Sequence, residues 1–147
     1  MQIEPATLRD IACLCQLLDQ LFAQEVEFHP DQEAQQRGLK MIIENPQIGT
    51  ILVARKDEKI IGMVSLLYTV STALGEWVAL LEDMVVQPER RGEGTGSVLL
   101  TAAIDHARLN GCRRVTLLTD SDNLPAQSFY QSHGFSLSKM RPLRLTL

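Results

Sequence analysis

One stretch of the chain constrains its fold more than any other, because a strand, a turn and the start of a helix follow one another within it. The apolar strand ends at Val86, a proline turn follows, and three glycines alternate with other residues from Gly92 to Gly96. Val98 then begins an apolar run that is typical of a helix. A helix start carries unpaired backbone N–H groups and the positive end of the helix dipole, and glycines let the backbone approach a ligand. The stretch therefore predicts a backbone cradle for a phosphate or pyrophosphate, with Arg90 and Arg91 at its mouth.

Composition and charge favour a single soluble globular domain. The chain has 147 residues, of which 45% are hydrophobic and 22% charged, and this length is sufficient for a core. The net charge of −4 argues against a nucleic-acid binder, which would need a basic surface. No apolar run reaches the ~20 residues that span a bilayer, and residues 1–4 lack the features of a signal peptide, so we expect no membrane association and a cytoplasmic location. Three cysteines without ligand-like spacing from histidines predict reduced core thiols and no metal site: Cys13, Cys15 and Cys112.

Two helices are expected in the first third of the chain. A short edge strand stops at Pro5, and Thr7 with Asp10 forms a capping-box pattern at the start of a helix whose polar side includes Asp10. Asp31 can cap a second helix. The acidic segment 24–29 between the two helices either borders a substrate cleft or forms a solvated connection.

Three apolar segments predict the centre of a sheet. Residues 49–55 and 60–68 form a hairpin around a charged turn, and residues 76–86 lead into the glycine stretch. This third strand is apolar along most of its length, with Glu82 and Asp83 as the exception. Because neighbouring side chains on a strand point to opposite faces, we expect only one of these two carboxylates to enter a cleft.

The second half of the chain predicts alternating helices and strands. The strand that follows the glycine-loop helix should lie parallel to the preceding one, because a helix crosses between them. We therefore expect one α/β domain over residues 1–147, with a mixed, mostly antiparallel sheet of about six to seven strands and about four helices. The remaining elements are expected as a helix over 95–110, a strand over 115–119, a helix from Asn123 to Gly134, and two final strands over 135–137 and 143–147.

The glycine stretch does not fit the two commonest nucleotide-binding loops. A P-loop is excluded because no lysine and hydroxyl pair follows the last glycine. A dinucleotide-binding fingerprint has the pattern G-x-G-x-x-G close to the strand end, whereas these glycines alternate strictly and begin six residues after Val86. A pyrophosphate cradle of another type remains.

Two motifs resemble those of the GCN5-related N-acetyltransferases. Residues 91–96, R-G-E-G-T-G, match the family signature Q/R-x-x-G-x-G/A. Residues 123–135 match the family block N-x-x-A-x-x-F-Y-x-x-x-G-F. The two motifs occur in the family's order and distance, and the expected order of strands and helices agrees over essentially the whole chain.

The resemblance implies acetyl-CoA as the acetyl donor, bound without a metal. In the family, the pantetheine arm runs along the strand that here contains Met84, Val85 and Val86, and a side chain at the position of Asn123 contacts it from the other flank. The pyrophosphate is then expected on the backbone N–H groups of Arg91, Gly92, Glu93, Gly94, Thr95, Gly96 and Ser97.

Transfer of an acetyl group to an amine needs a neutral amine, a donor to the carbonyl oxygen and a proton for the leaving thiolate. Tyr130 occupies the family's general-acid position, although it could also be a core tyrosine beside Phe129. The backbone N–H of Val86 resembles the family's donor to the carbonyl oxygen. For the base, Glu82 is the first expectation, Asp83 the second and a chain of water molecules the third. A structural role for these carboxylates, paired with an arginine, is the other reading.

The Glu82–Asp83 pair and the glycine run that follows resemble the polyamine (diamine) branch of the family most closely. In that branch the carboxylates orient a cationic acceptor or accept its proton through water. We therefore expect an N-acetyltransferase that acts on a small, cationic amine by direct transfer in a ternary complex. The alternative is an acetyl-CoA-binding sensor or interaction module without catalysis. Dimerisation through the final strands is usual in the family, and the sequence leaves it open.

Overall fold

The computed structural model describes residues 1–25 and 29–147, and its centre is a five-stranded sheet with the order β1-β2-β3-β4-β5. The first four strands are antiparallel, and β5 is parallel to β4, as the sequence predicts. The strands are β1 (Gln2–Pro5), β2 (Gly49–Lys56), β3 (Lys59–Ser71), β4 (Glu76–Val86) and β5 (Val115–Leu117). The helices are α1 (Ile11–Gln24), α2 (Gln32–Glu44), α3 (Thr95–Leu109) and α4 (Leu124–Ser132), with 3-10 turns at Leu8–Asp10 and Pro88–Arg90. Of the acidic segment 24–29, residues 26–28 lie outside the described residues.

The sheet separates two apolar cores. Leu99 and Leu100 of α3 pack on one face, and Leu14 of α1 and Leu39 of α2 pack on the other. On β3, Val64 and Leu66 belong to the first core and Met63 belongs to the second. Burial of both faces explains why the central strands are apolar almost throughout.

Both predicted helix starts are confirmed. The backbone N–H of Thr7 donates to Asp10 Oδ2 at 2.8 Å, which is one half of the expected capping box. At the start of α2, Asp31 Oδ1 accepts from the backbone N–H of Ala34 at 3.2 Å. Each cap satisfies a backbone donor that the first turn leaves unpaired.

Asp10, which the sequence assigns to the polar side of the first helix, is buried in the structure. Asp10 is only 7% exposed, and both of its carboxylate oxygens accept hydrogen bonds from Arg55 Nη2 at 2.8 Å. Burial by itself would raise the pKa of Asp10, but the hydrogen bonds from Arg55 and Thr7 outweigh it and lower the pKa. Arg55 also pairs with Glu4, so one guanidinium links β1, β2 and the start of α1. Sequence periodicity could not show this, because Arg55 lies on a strand 45 residues away.

The two final strands predicted over 135–137 and 143–147 are absent, and this is why the described sheet has five strands rather than six or seven. The alternating leucines of the C-terminal segment are exposed instead of packed. An extended segment is stable only when a neighbouring strand accepts its backbone hydrogen bonds. The nearest candidate, β5, has three residues and is too short to pair with a further strand. The alternating leucines of the C-terminal segment therefore predict strands that the described residues do not form.

Two of the three cysteines are buried as expected. Cys15 and Cys112 lie in the two cores, whereas Cys13 is exposed. Two residues turn a helix by roughly 200°, so Cys13 points away from the side that buries Cys15. Within the described ranges, no group of three or more His, Cys, Asp or Glu side chains could hold a metal ion. None of the helices described is long and apolar enough to cross a membrane.

Candidate active site

The candidate site lies where β4 and β5 separate. β5 pairs with β4 only at Ala79–Leu81, so residues 82–86 have only β3 as a paired neighbour in the described part of the chain. Opposed residues of an antiparallel pair alternate between hydrogen-bonded and non-bonded positions. Because the N–H of Gln87 donates to Ile61 O at 2.8 Å, the N–H of Val86 points away from β3, towards the side that β5 has left. The free side of β4 thus offers backbone groups to an extended ligand.

A β-bulge interrupts β4 at the acidic pair. Met63 is opposite Val85 and Ser65 is opposite Glu82, so β4 has one more residue than β3 between these pairs. Asp83 adopts a positive φ of 54° within this bulge. Strand alternation need not continue across a bulge, so the expectation that only one of Glu82 and Asp83 enters the cleft stays a prediction. Glu82 is exposed and Asp83 is half-buried.

Four carboxylates form the electrostatic feature that we call the acidic mouth: Glu25, Glu82, Asp83 and Asp120. Glu25 follows the last residue of α1, and Asp120 follows β5. Burial, together with the charges of Glu82 and Glu25, raises the pKa of Asp83 to about 7, and the nearby Ser65 hydroxyl acts in the opposite direction. Burial and the charges of Asp120 and Glu82 also raise the pKa of Glu25. Among residues 1–25 and 29–147, no cationic side chain forms an ion pair with any member of the acidic mouth.

Tyr130 of α4 lies close to the acidic mouth, near Glu25. Burial and then the charge of Glu25 raise the pKa of its hydroxyl to about 12. Its ring packs edge-to-face against Phe129, with centroids 5.3 Å apart, and against Phe135 at 5.7 Å. His133 follows the last residue of α4, and its Nδ1–H group donates to Phe129 O at 3.0 Å. This hydrogen bond holds the His133 ring at the end of the helix. The aromatic contacts fix the Tyr130 ring, and its hydroxyl stays protonated at neutral pH.

The glycine loop leads into α3 as the sequence predicts. Gly92 and Gly94 have positive φ values of 82° and 84°, a backbone conformation that residues with a Cβ rarely adopt. The backbone N–H groups of residues 92–97 donate to no acceptor within the described residues, and the first turn of α3 contains no acidic side chain. Gly96 has a different role, because a Cβ there would lie 3.4 Å from the Phe129 ring. The loop is thus a row of free donors, packed at one point against the helix that carries Tyr130.

The two arginines of the loop are held differently. Arg91 Nε donates to Val86 O at 3.3 Å, and the backbone N–H of Arg91 donates to Pro88 O at 3.3 Å. The expected row of free N–H donors therefore begins at Gly92, one residue later than the resemblance implies. Arg90 forms a loose ion pair with Glu93 at 3.9 Å. Both guanidinium groups stay close to the loop.

Asn123 begins α4, and its Oδ1 accepts from the backbone N–H of Ala126 at 3.2 Å. This cap occupies the side-chain oxygen and leaves the amide NH₂ as the group that could donate to a ligand. Sequence reasoning missed three residues near the site: Glu25, Ser65 and Asp120. Glu25 lies in the acidic segment 24–29, for which the sequence left both a cleft border and a solvated connection open. Asp120 follows a parallel strand, where ligand-binding residues often lie.

The model of the Acetyltransferase (GNAT) family matches residues 12–135, which include the bulged strand, the glycine loop and α4. The chain belongs to this family. The predictions of the family, of the mixed α/β fold and of an N-acetyltransferase are confirmed, and members of the GNAT family use acetyl-CoA as co-substrate.

Two relatives of this GNAT enzyme match it along most of their length. The protein named uncharacterized N-acetyltransferase YhfO of Bacillus subtilis is 33% identical over 138 residues, which are 92% of this chain and 89% of the relative. The aminoalkylphosphonate N-acetyltransferase of Salmonella typhimurium is 27% identical over 95% of this chain and 88% of its own. The solved structure of a transcriptional regulator from Bacillus halodurans C-125 is 27% identical over 99% of both chains, with a TM-score of 0.82.

Proposed function

We propose that this N-acetyltransferase moves the acetyl group of acetyl-CoA directly to the amine of a small, cationic acceptor while both substrates are bound. One observation carries the proposal. The acidic mouth, which has no counter-cation among the described residues, lies beside the free side of β4 and the Tyr130 hydroxyl. A cluster of uncompensated carboxylates attracts cations and disfavours anions.

Acetyl-CoA would bind along one continuous segment. The free backbone side of Met84–Val86 suits an extended pantetheine arm, which would pair with it as an added strand does. The N–H groups of residues 92–97 and the positive end of α3 suit the pyrophosphate. The Arg91 side chain and the Asn123 amide are the further donors proposed for the same ligand.

The acceptor arrives as an ammonium ion and must lose a proton before it attacks. Asp83 is the proposed base, since a carboxyl pKa of about 7 matches a proton transfer near neutral pH. Glu82 is exposed and remains the second candidate, with transfer through water as the third. This order differs from the sequence expectation because the bulge and the burial single out Asp83.

The neutral nitrogen then attacks the thioester carbonyl carbon, and the carbonyl oxygen becomes an oxyanion. The N–H of Val86 points to the side where that oxygen would lie and is its proposed donor. The carbon–sulfur bond then breaks, Tyr130 donates its proton to the CoA thiolate, and the phenolate regains a proton from the nitrogen of the new amide. The products are the acetylated amine, CoA and a protonated Asp83, which returns its proton to solvent.

An amine panel tests the acceptor class. Release of the CoA thiol is measured with cationic amines, with a neutral aminoalcohol and with 2-aminoethylphosphonate, the last because one relative is named an aminoalkylphosphonate N-acetyltransferase. The acidic mouth predicts the highest kcat/KM for cationic amines. A higher kcat/KM for the phosphonate would overturn the proposed acceptor class.

We also propose that two copies associate through the C-terminal segment 135–147. Leu143, Leu145 and Leu147 alternate with polar residues and are each more than 80% exposed. Such a segment can pair with an exposed edge or with a second copy of itself. Pairing with a second copy would bury the three leucines and supply the strands that the isolated chain lacks.

A further inference from the structure

We propose that Leu118 binds the hydrocarbon body of the acceptor, so that this enzyme prefers amines with a longer apolar chain to short ones. The inference rests on the proposed function and narrows its acceptor class by apolar contact. Leu118 directly follows the last residue of β5 and is 55% exposed. It therefore presents a large apolar side chain at the point where β4 and β5 separate.

The register between the two strands places Leu118 beside Glu82. The strands are parallel, and their last pair joins Leu81 of β4 to Leu117 of β5. One further step along both strands brings Leu118 across from Glu82, where the pairing has ended. Leu118 and Glu82 thus lie on the two walls of the gap that opens towards the proposed reaction centre.

The alternation of side chains along β5 fixes the face to which Leu118 points. Val115 and Leu117 pack against the core that contains α3, and Thr116 between them is exposed. Because neighbouring side chains on a strand point to opposite faces, Leu118 points away from α3. Glu82 points to the same face, since the residue before it on β4 also belongs to the core with α3. This is the face that α1 and α2 cover elsewhere on the sheet.

The two substrates reach the proposed reaction centre from opposite faces of the sheet. The helix α3, whose N-terminal loop is proposed to hold the pyrophosphate, packs against the first core, and so do Phe129 and Tyr130 of α4. Acetyl-CoA would therefore occupy the side of α3 and α4, and the amine would approach the thioester carbonyl from the other side. Leu118 points to that other side, so its exposed surface faces the acceptor.

The chemistry of this wall suits a hydrocarbon chain. A leucine side chain offers no hydrogen bond, and it gains stability only when a ligand removes its apolar surface from water. Leu80 of β4 lies two residues before Glu82 on the same face, is only partly buried, and extends the apolar surface. Single exposed leucines are common on proteins, and Leu109 at the end of α3 is one of them. Leu118 differs from it by lying beside the reaction centre.

The test follows CoA thiol release with a series of primary alkylamines from ethylamine to pentylamine. These amines carry the same charge and have nearly the same basicity, so the series varies hydrocarbon length alone. Wild-type kcat/KM should rise about twofold to fourfold with each added methylene, because complete burial of one methylene strengthens binding by roughly fourfold. The rise should lie chiefly in a lower KM, since the chain contacts the enzyme equally before and during transfer.

Leu118→Ser removes the apolar surface. The rise per methylene should fall below about 1.5-fold, while the KM for acetyl-CoA stays that of wild type. Leu118→Met keeps an apolar side chain and should keep the rise. Leu109→Ser is the matched control for the loss of an exposed leucine and should also keep it. Circular dichroism confirms that each variant is folded, and the wild-type series decides the question even if one variant is not.

The outcomes separate the two proposals. A wild-type kcat/KM that does not depend on chain length, or an undiminished rise in folded Leu118→Ser, overturns the inference and leaves the proposed function standing. Leu118→Ser also overturns it by changing only the KM for acetyl-CoA, or by converting a dimer into a monomer, because the donor or a second copy then covers the leucine. If acetyl-CoA binds in a calorimeter but no alkylamine releases thiol, the proposed acceptor class fails, and the inference fails with it.

Discussion

Asp83 adopts its positive φ in the bulge of β4 with a half-buried carboxyl group beside two other carboxylates. Each of these features costs stability, and such costs concentrate at functional sites. The pKa of about 7 in the folded protein lies above the ordinary value of 3.8. Between these values the folded state binds more protons than the unfolded state, so stability falls as pH rises through this window.

Asp83→Asn should therefore stabilise the free protein while it removes activity. Asparagine tolerates positive φ and has no charge to bury, so the gain in Tm over wild type should be absent below about pH 4 and largest above pH 7. The corresponding free energy is on the order of 1–3 kcal/mol after screening. Thermal unfolding followed across this pH range measures it, and an equal Tm difference at every pH would contradict the assignment.

The same variant tests the base. Wild-type kcat/KM should rise with pH around a midpoint near 7, well below the roughly pH 10 at which a free amine titrates. Asp83→Asn should lower kcat/KM by roughly 10²–10⁴ and remove this rise. Glu82→Gln is the control for the neighbouring carboxylate. If Glu82→Gln removes the rise and Asp83→Asn keeps it, the roles of the two residues are reversed.

Tyr130→Phe removes a single hydroxyl and keeps the ring contacts with Phe129 and Phe135. If Tyr130 protonates the leaving thiolate, kcat should fall by roughly 10²–10⁴ while the Kd for acetyl-CoA stays close to that of wild type. Rapid-quench turnover and calorimetry provide the two numbers. Wild-type turnover at every pH would rule out the role.

At the scale of elements, the loop before α3 uses its glycines for two different reasons. Gly92 and Gly94 have room for a Cβ but take positive φ, whereas Gly96 has an ordinary φ and lies against Phe129. The alternation that identifies the loop in the sequence therefore combines backbone conformation with packing. Only the structure distinguishes these two roles, because the sequence shows the same residue type for both.

Gly94→Ala should disturb the cradle through its backbone. The αL conformation costs a residue with a Cβ roughly 1–2 kcal/mol, so the variant should lose stability and bind acetyl-CoA more weakly. Gly38→Ala is the matched control, since Gly38 lies inside α2 with open space around it and alanine there should stabilise by roughly 0.5–1 kcal/mol. Tm and calorimetric Kd are measured for both. An unchanged Kd in Gly94→Ala would show that the loop does not hold the donor.

For the whole molecule, the exposed C-terminal leucines make the oligomeric state testable. The wild-type protein should elute as a dimer in size-exclusion chromatography with light scattering. A double change of Leu143→Asp and Leu145→Asp should yield a monomer, because charges cannot be buried in the pairing. Leu109→Asp, at the exposed end of α3, is the control for a lone surface leucine. A monomeric wild type contradicts the association.

The sequence predicts the parts of this fold that depend on local rules. The capping box at Thr7, the turn around residues 56–59 and the parallel placement of β5 are confirmed. The prediction of two final strands is wrong, and the burial of Asp10 against Arg55 was not predicted, because both features depend on partners far away in the chain. The glycine loop and Tyr130 could be identified from their motifs, and their ligand roles stay predictions. The acidic mouth combines four carboxylates from three parts of the chain, which no local pattern could unite.

The central claim is that the free side of β4 and the acidic mouth hold both substrates at once, so that the acetyl group passes directly between them. Initial rates with acetyl-CoA and 1,4-diaminobutane varied together test this most directly. Direct transfer predicts double-reciprocal lines that intersect, and no acetyl group on the protein after incubation with acetyl-CoA alone. Parallel lines together with an acetylated enzyme, for example at the exposed thiol of Cys13, would contradict the account.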